Sequence, residues 1–534
     1  MMKKIINVVV TLVLGALIYY LTLPAINLNN IGFYTYIATL IIIFAVLDAF
    51  NRDTKVELFK KGKKINPIDY PKTSLVCIGI VLIMFFLIGT INFFASPIFN
   101  AKSYQSRIII DETGNFTEDI EEVNFNQLPL LDRASSEVLG DRVMGQMSEL
   151  VSQYSVSKQY TQINYNDAIM RVTPLEYADP IKWLTNRKQG IVGYITVNSV
   201  NGESNLVRLE KGMKYSTSAL FNEKLERKLR FEYPTTNFGD ISFEIDNEGN
   251  PYYIVTTLKY SAIGLKAKVS GVIIFNPITG ESKKYSKEDI PSWVDIAYSA
   301  SLVIEQIDNW GTYKNGFWNS IFGQKNVVNT TDGYNYLAMN DDVYLYTGIT
   351  SVVSDESNLG FVLTNMRTGK TTYYSVPGAE EYSAMSSAEG QVQDMGYTST
   401  FPLLINLQGR PTYLVSLKDT SGLVKMYGFV DVKDYQKVTV TDASKGIIVA
   451  KDNYLKSIKT EVKDSELVKK EIIVDNITTA IINGYTYYYI ESDNQKYKVS
   501  ISLSDELPFI KAGNTLSIGI PAIEKDIIEI EKIY

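Results

Sequence analysis

Histidine does not occur anywhere in the 534 residues, and cysteine occurs once, as Cys77. The first absence removes Ser-His-Asp and Cys-His catalytic sites and every His-ligated zinc. The second excludes an intrachain disulfide and a thiolate metal cluster. Cys77 sits within an apolar run, where a thiol packs as a small hydrophobe. Positive charge is also scarce beyond the first hundred residues. Residues 1–100 hold 9 of 52 basic and 4 of 59 acidic side chains, which leaves 43 against 55 and a net of −12. That acidic balance argues against a nucleic-acid partner, which needs clustered cations. No motif implies a cofactor or a metal.

Apolar residues make up 45% of the chain and tyrosine alone has 37 copies, enough for several cores rich in half-buried β-structure. Three long apolar runs open the chain, 5–23, 31–50 and 75–94, each of about the 20 residues a bilayer crossing needs. Lys3 and Lys4 before the first would also suit a signal peptide, but the two runs behind it favour three membrane helices. The loop between the second and third carries Arg52, Lys55, Lys60, Lys61, Lys63, Lys64 and Lys72, whereas LPAINLNN between the first two is uncharged. The positive-inside rule therefore predicts a multi-pass plasma-membrane protein with a cytoplasmic N-terminus and everything after about residue 100 outside. Membrane lipids are the expected partner of residues 1–100. The Lys60–Lys64 cluster serves as a topology determinant or pairs with anionic headgroups.

Residues 101–128 are polar and acidic and read as a solvated stalk with one short strand, RIIID. The helical spacing of Leu131, Val138, Val143, Met147 and Leu150 follows, with Gly140 as a break. Two Asp-Arg pairs lie in this 101–190 segment, Asp132-Arg133 and Asp141-Arg142. Such pairs offer acid–base groups and an anion clamp, or simply surface ion pairs.

A phrase then recurs. YITVNSVNGES, VIIFNPITGES and FVLTNMRTGKT place Asn198, Asn276 and Asn365 four residues before Gly202, Gly280 and Gly369. Asn closes an Asx-turn and glycine takes positive φ, so the spacing predicts three alike hairpins. FVDVKDYQKVTV keeps the outline but has Tyr435 at the glycine position. GNPYYIVTTLK and GRPTYLVSLK repeat beside it, so 193–286 and 348–440 align as a duplication. The units are drawn as 191–288 and 346–456. Between them, in the connecting segment 289–345, Asp289 and Pro291 suit a helix start, with Trp293, Ile296, Ala300, Val303, Ile307 and Trp310 on one face. After a charged linker, 466–534 reads as five short strands of a small OB-like barrel, with Asn483-Gly484 as a hairpin turn. Tyr487 and Tyr489 share one strand face and are candidates for stacking a ligand or for ordinary β-core. The expected fold is α+β throughout, antiparallel sheets with packed helices.

Two apparent motifs fail on inspection. RTGKTT lacks the first P-loop glycine, where Thr364 stands, and Ser155-Val-Ser-Lys158 has no K-T-G strand to complete a penicillin-recognising site. Glu380, Glu381 and Glu389 lie in a helix-prone stretch and could supply paired carboxylates for glycoside hydrolysis.

The N-x-x-T-G-E turn, set beside the G-x-P-x-Y strand, resembles the small extracytoplasmic repeats called PepSY-like domains. The resemblance rests on Val272–Glu281, Phe361–Lys370 and the strands at Gly249 and Gly409. It implies accessory envelope modules that bind or restrain peptidases and bring no catalytic residues. Three spans plus this ectodomain are similar to multi-pass membrane proteins of Gram-positive bacteria. The leading expectation is thus a non-catalytic envelope binding or scaffold protein that recognises a protein, peptide or glycan. The competing one is a His-free, carboxylate-dependent envelope hydrolase.

Overall fold

The computed structural model describes residues 2–51, 72–166, 168–339, 341–352, 354–459, 467–482, 485–504, 506–521, 526–530 and 532–534. Two compact units emerge, residues 1–424 with 431–435, and residues 425–430 with 436–534.

The first unit opens on three helices, α1 (Met2–Thr22), α2 (Ile31–Asn51) and α3 (Lys72–Ala95), each long and apolar enough to cross a membrane. α2 packs against both of the others. Of the basic loop, Lys72 begins α3; Arg52, Lys55, Lys60, Lys61, Lys63 and Lys64 lie outside the described residues. The α1–α2 connection is fastened to the rest of the unit. Ile26 N donates to Pro234 O at 2.8 Å, Gly264 N to Asn29 O at 2.9 Å, and Asn92 Nδ2 of α3 to Ile263 O at 2.9 Å. The body of the unit therefore sits at the helix ends that carry LPAINLNN and Ala95.

The stalk expected at 101–128 is packed structure instead. α4 (Pro97–Gln105) and Arg107 lie against later elements, Arg107 being buried with Nη1 2.6 Å from Glu305 Oε1 and Nη2 2.9 Å from Ala267 O. β1 (Ile110–Gly114) pairs parallel with a much later strand, 371–374, Ile110 against Thr371, and α5 (Phe116–Asp119) follows it. Apolar Ile108 joins the later core, which a solvated reading of this charged segment could not foresee.

Helices then alternate with antiparallel sheets. α6 (Arg133–Gly145) and α7 (Ser148–Val151) precede β2 (Tyr154–Val156), β3 (Thr161–Tyr165) and β4 (Ala168–Tyr177). After α8 (Pro180–Asn186) come β5 (Ile191–Asn198) and β6 (Ser204–Met213), in sheet order β2-β4-β5-β6 with β3 also on β4. The helix break falls at Gln146–Met147; Gly140 stays helical and, lacking a Cβ, leaves room for the Tyr160 hydroxyl. This sheet runs straight across residue 190. Next, α9 (Leu225–Glu232) leads into β7 (Asn237–Ile245), β8 (Pro251–Ala262), β9 (Leu265–Phe275) and β10 (Ser282–Ser286), ordered β10-β9-β8-β7. The two sheets share one core containing Val172, Tyr194, Phe243 and Phe275. α10 (Ala300–Thr312) then covers a third sheet built on β11 (Val328–Thr330), β12 (Asn335–Met339), β13 (Asp342–Ser351), β14 (Ser354–Asn365), β15 (Thr371–Tyr374) and β16 (Gly378–Ala379). α11 (Glu381–Gly390) precedes β17 (Thr398–Ser399), β18 (Leu403–Leu407) and β19 (Arg410–Lys418), in which both β17 and β18 pair with β19.

The three Asn-Gly turns have the same hydrogen bonds. Gly202 N, Gly280 N and Gly369 N donate to the carbonyls of Asn198, Asn276 and Asn365 at 2.9, 2.9 and 2.8 Å. Each Asn Oδ1 also accepts the amides two and three residues ahead. Asp431 takes the asparagine's part in the fourth phrase, accepting from Lys433 N and Asp434 N. The glycines differ in their surroundings. Gly280 (φ +78) and Gly369 (φ +74) each place a Cβ position 2.7 Å from an aromatic carbon, of Tyr215 and Tyr298, whereas Gly202 (φ +77) has nothing nearer than Leu131 at 3.4 Å. Gly202→Ala is expected to lower stability by about 1 kcal/mol from backbone strain alone. Gly280→Ala and Gly369→Ala should cost about 2–4 kcal/mol, because the ring must also move. Equal shifts in unfolding midpoint for all three would contradict this.

The connecting helix starts later than its sequence implies. Residues 291–298 are non-helical because their amides are already engaged: Asp295 N and Ile296 N donate to the Glu244 carboxylate, and Ala297 N and Tyr298 N to Met366 O. Asp289 accepts from Ser286 Oγ and caps nothing. Trp293 is half-buried against Tyr252, and Trp310 lies in the core of the third sheet.

The second unit begins with β20 (Val424–Asp431) and β21 (Val438–Asp442), an antiparallel pair, and α12 (Ile447–Lys459). The charged linker falls largely outside the described residues, as does Asn483-Gly484. The OB-like barrel is corrected to two separate sheets, with no closed barrel among the described residues. β22 (Leu467–Ile473), β26 (Thr515–Pro521) and β28 (Lys532–Ile533) form one. β23 (Asn476–Ile482), β24 (Tyr485–Ser492), β25 (Gln495–Ser500) and β27 (Ile527–Glu529) form the other. The β23–β24 ladder runs from Asn476 against Glu491 to Ile482 against Tyr485. β27 joins β25 in parallel, and strands of both sheets contribute to a core of Ile490, Tyr497, Val499 and Ile518.

Candidate functional site

The charged residues singled out from sequence do not converge. Asp132 is the N-cap of α6, accepting from Ser135 N at 2.9 Å, and is ion-paired with Lys418 at 2.6 Å. Burial pushes its carboxyl up, but the hydrogen bonds from Lys418 and Ser135 outweigh that and hold it below the ordinary carboxylate range. Arg133 pairs with Glu137 one turn along and donates to Lys158 O. Asp141 and Arg142 are exposed on the far part of the same helix. Glu389 accepts both Ser399 N and Ser399 Oγ at 2.8 Å, tying α11 to β17. Glu380 is the N-cap residue of α11 and partly exposed.

Glu381, one residue on, is fully buried and takes the Tyr346 hydroxyl at 2.6 Å, with Asn358 Nδ2 at 3.5 Å. Burial raises its carboxyl pKa, opposed by the tyrosine. Gly348 makes room for it, since a Cβ there would lie within 2.7 Å of Glu381 Oε2. Tyr487 and Tyr489 lie half-buried on the β24 face opposite buried Tyr488 and Ile490, so they are not core residues. Lys498 reaches over the Tyr487 ring at 4.2 Å.

A buried acid pair escaped the sequence reading. Glu244 is 0% exposed and accepts Asp295 N at 2.8 Å, Ile296 N at 3.2 Å and Ser242 Oγ at 2.9 Å. Asp295, 2% exposed, accepts Asn164 N at 2.8 Å. Burial lifts Glu244 to about 7 against the pull of those donors. Asp295 is raised well above its usual value, by burial first and then by the Glu244 charge. These carboxylates hold the 291–298 crossing against the sheet. Among the described residues no group of three or more Asp, Glu or Cys is placed to hold a metal.

A groove of about 150 Å³ opens between residues 119–129, β12 and β18. Val123 N donates to Asn406 O at 3.0 Å and Asn406 Nδ2 to Ile120 O at 2.7 Å, which fastens the acidic segment along β18. Ile120, Leu128, Leu337, Leu404 and Ile405 make its floor. Asp119, Glu121 and Glu122 stand exposed on its rim. Among the described residues its lining supplies carboxylates and amides, with no Ser, Thr, Tyr, Cys or Lys side chain. The twice-repeated pattern of two acids and one apolar residue, Glu118-Asp119-Ile120-Glu121-Glu122-Val123, is the sequence signal for it, within the segment expected to be a stalk. No family model matches the chain, and no curated protein matches it either.

Proposed function

We propose that this chain is a membrane-anchored scaffold of the cell envelope that captures a basic polypeptide segment on its outer body without chemistry. The acid-rimmed, apolar-floored groove carries the reading. A lysine or arginine side chain has the matching form, an apolar stem for the floor and a cation for the rim. The alternative hydrolase needs two carboxylates facing each other across a cleft. Asp132 is engaged with Lys418, Glu389 with Ser399 and Glu381 with Tyr346, which favours binding.

Orientation belongs to this proposal. The basic 52–72 loop faces the cytoplasm, and the folded body, at the opposite helix ends, lies outside. So does the duplication. The Asn- or Asp-turned hairpins at 198 and 276 recur at 365 and 431, which supports 193–286 and 348–440 as two copies of one PepSY-like unit.

In-cell crosslinking from a photoreactive residue at Gln127, followed by mass spectrometry, tests the binding reading. A captured polypeptide should disappear with Glu121→Lys plus Glu122→Lys and persist with Asp141→Asn. Recovery of lipid alone, or capture indifferent to the rim charges, would sink it.

A further inference from the structure

The connection after α10 reads YKNGFWNSIFGQK, residues 313–325. Its polar groups bond inward. Asn315 Nδ2 and Asn319 Nδ2 donate to Lys325 O at 2.8 and 3.0 Å, and Gln324 N donates to Asn319 O at 2.6 Å. Its apolar groups face out: Trp318 is 62% exposed, Ile321 49% and Phe322 78%. Trp318 and Phe322 stack with centroids 5.9 Å apart and planes at 11°, and Phe317 meets Trp318 edge-on at 5.3 Å. An apolar cluster held in one geometry against water marks a docking surface.

Its position names the occupant. α3 ends at Ala95 among the exposed rings of Phe93, Phe94 and Phe99, which contact one another at 5.3–5.6 Å. α4 starts at Pro97 and kinks at Asn100, and Tyr104 lies seven residues along it. The Tyr104 ring is 6.1 Å from Tyr313, the residue that opens the aromatic loop. The Arg107–Glu305 ion pair holds α10 to the same place. Lys314 is taken up by Glu112 at 3.1 Å, but Lys325 stands exposed beside the aromatics, and rings beside a lysine are the chemistry of the headgroup–acyl boundary.

We infer that the 317–322 loop is a second membrane anchor, its Trp318–Phe322 stack seated in the phospholipid interface of the bilayer that α1–α3 cross. The inference rests on those helices crossing a bilayer. It is independent of what the acid-rimmed groove binds.

The test uses the full chain in proteoliposomes of phosphatidylcholine and phosphatidylglycerol, with and without bromine on the upper acyl chain. Four tryptophans are present, so Trp318→Phe isolates the Trp318 signal by difference. Brominated lipid should quench most of that difference signal, and Trp310→Phe should leave the quenching in place. Co-flotation with the liposomes verifies separately that α1–α3 are inserted. A Trp318 signal in floated protein that is insensitive to bromine overturns the inference. So does quenching that appears only as protein density rises, which would mark a second copy as the occupant. Phe322→Ser provides a second variant and should shift Trp318 emission to longer wavelength in liposomes.

Discussion

Thermal stability of the first unit should fall as pH rises from about 4.5 through about 7, and Glu244→Gln should make that slope shallower. The Glu244 carboxyl stands at about 7 when folded against 4.5 for a free glutamate, because burial disfavours its charge more than its three donors favour it. A raised carboxyl binds its proton more tightly folded than unfolded. Its contribution is therefore complete below about 4.5 and is lost as pH climbs through about 7. The magnitude is on the order of 3 kcal/mol, and Asp295, displaced in the same direction, adds to it. Asp132 is shifted the opposite way, so its effect falls at more acidic pH, outside this window. Glu244→Ala is the harsher change. It leaves Asp295 N, Ile296 N and the Ser242 hydroxyl without their acceptor, a loss of about 2–4 kcal/mol at any pH. Unfolding midpoints measured in detergent across this range decide the matter: parallel profiles for the native chain and Glu244→Gln would show that another group governs the slope.

Replacing Arg227 and Arg230 together by alanine should release the body of the first unit from α1–α3. Arg227 donates from Nε to Tyr20 O at 3.0 Å, donates also to Phe221 O, and lies 3.9 Å over the Tyr20 ring. Arg230 donates to Leu23 O at 2.9 Å and to Thr236 O at 2.7 Å. Both are buried, so each carbonyl left behind loses a charge-assisted partner worth roughly 1.5–3 kcal/mol. The readout is amide exchange at Ile26, whose N–H is bonded to Pro234 O. Its protection should drop at least about tenfold, the factor that 1.4 kcal/mol represents. Unchanged exchange there would mean that the loop contacts of Asn27, Asn29 and Asn30 suffice.

The parts that sequence predicted well are those with local causes. An asparagine four residues before a glycine closes the same hydrogen-bonded turn three times, because both properties are intrinsic to the two residues. The three apolar helices are as local, since their length and composition suffice. The misreadings arise where a distant segment takes over a group. Pro291 looked like a helix start, yet Glu244 and Met366 accept the amides that a helix would have used. Residues 101–128 looked solvated, yet β1 pairs with a strand about 260 residues later.

By itself the sequence determined three helices long enough for a bilayer, the turn chemistry, the α+β character and the exclusion of histidine and disulfide chemistry. Only the tertiary structure decided which carboxylates lie inside. Along Phe243-Glu244-Ile245 the alternation sends Phe243 and Ile245 into one core and Glu244 to the opposite face. Strand periodicity tells the two faces apart. It does not say that residues 291–298 will close over the second face, and that closure turns an apparently solvated glutamate into a buried, proton-holding one.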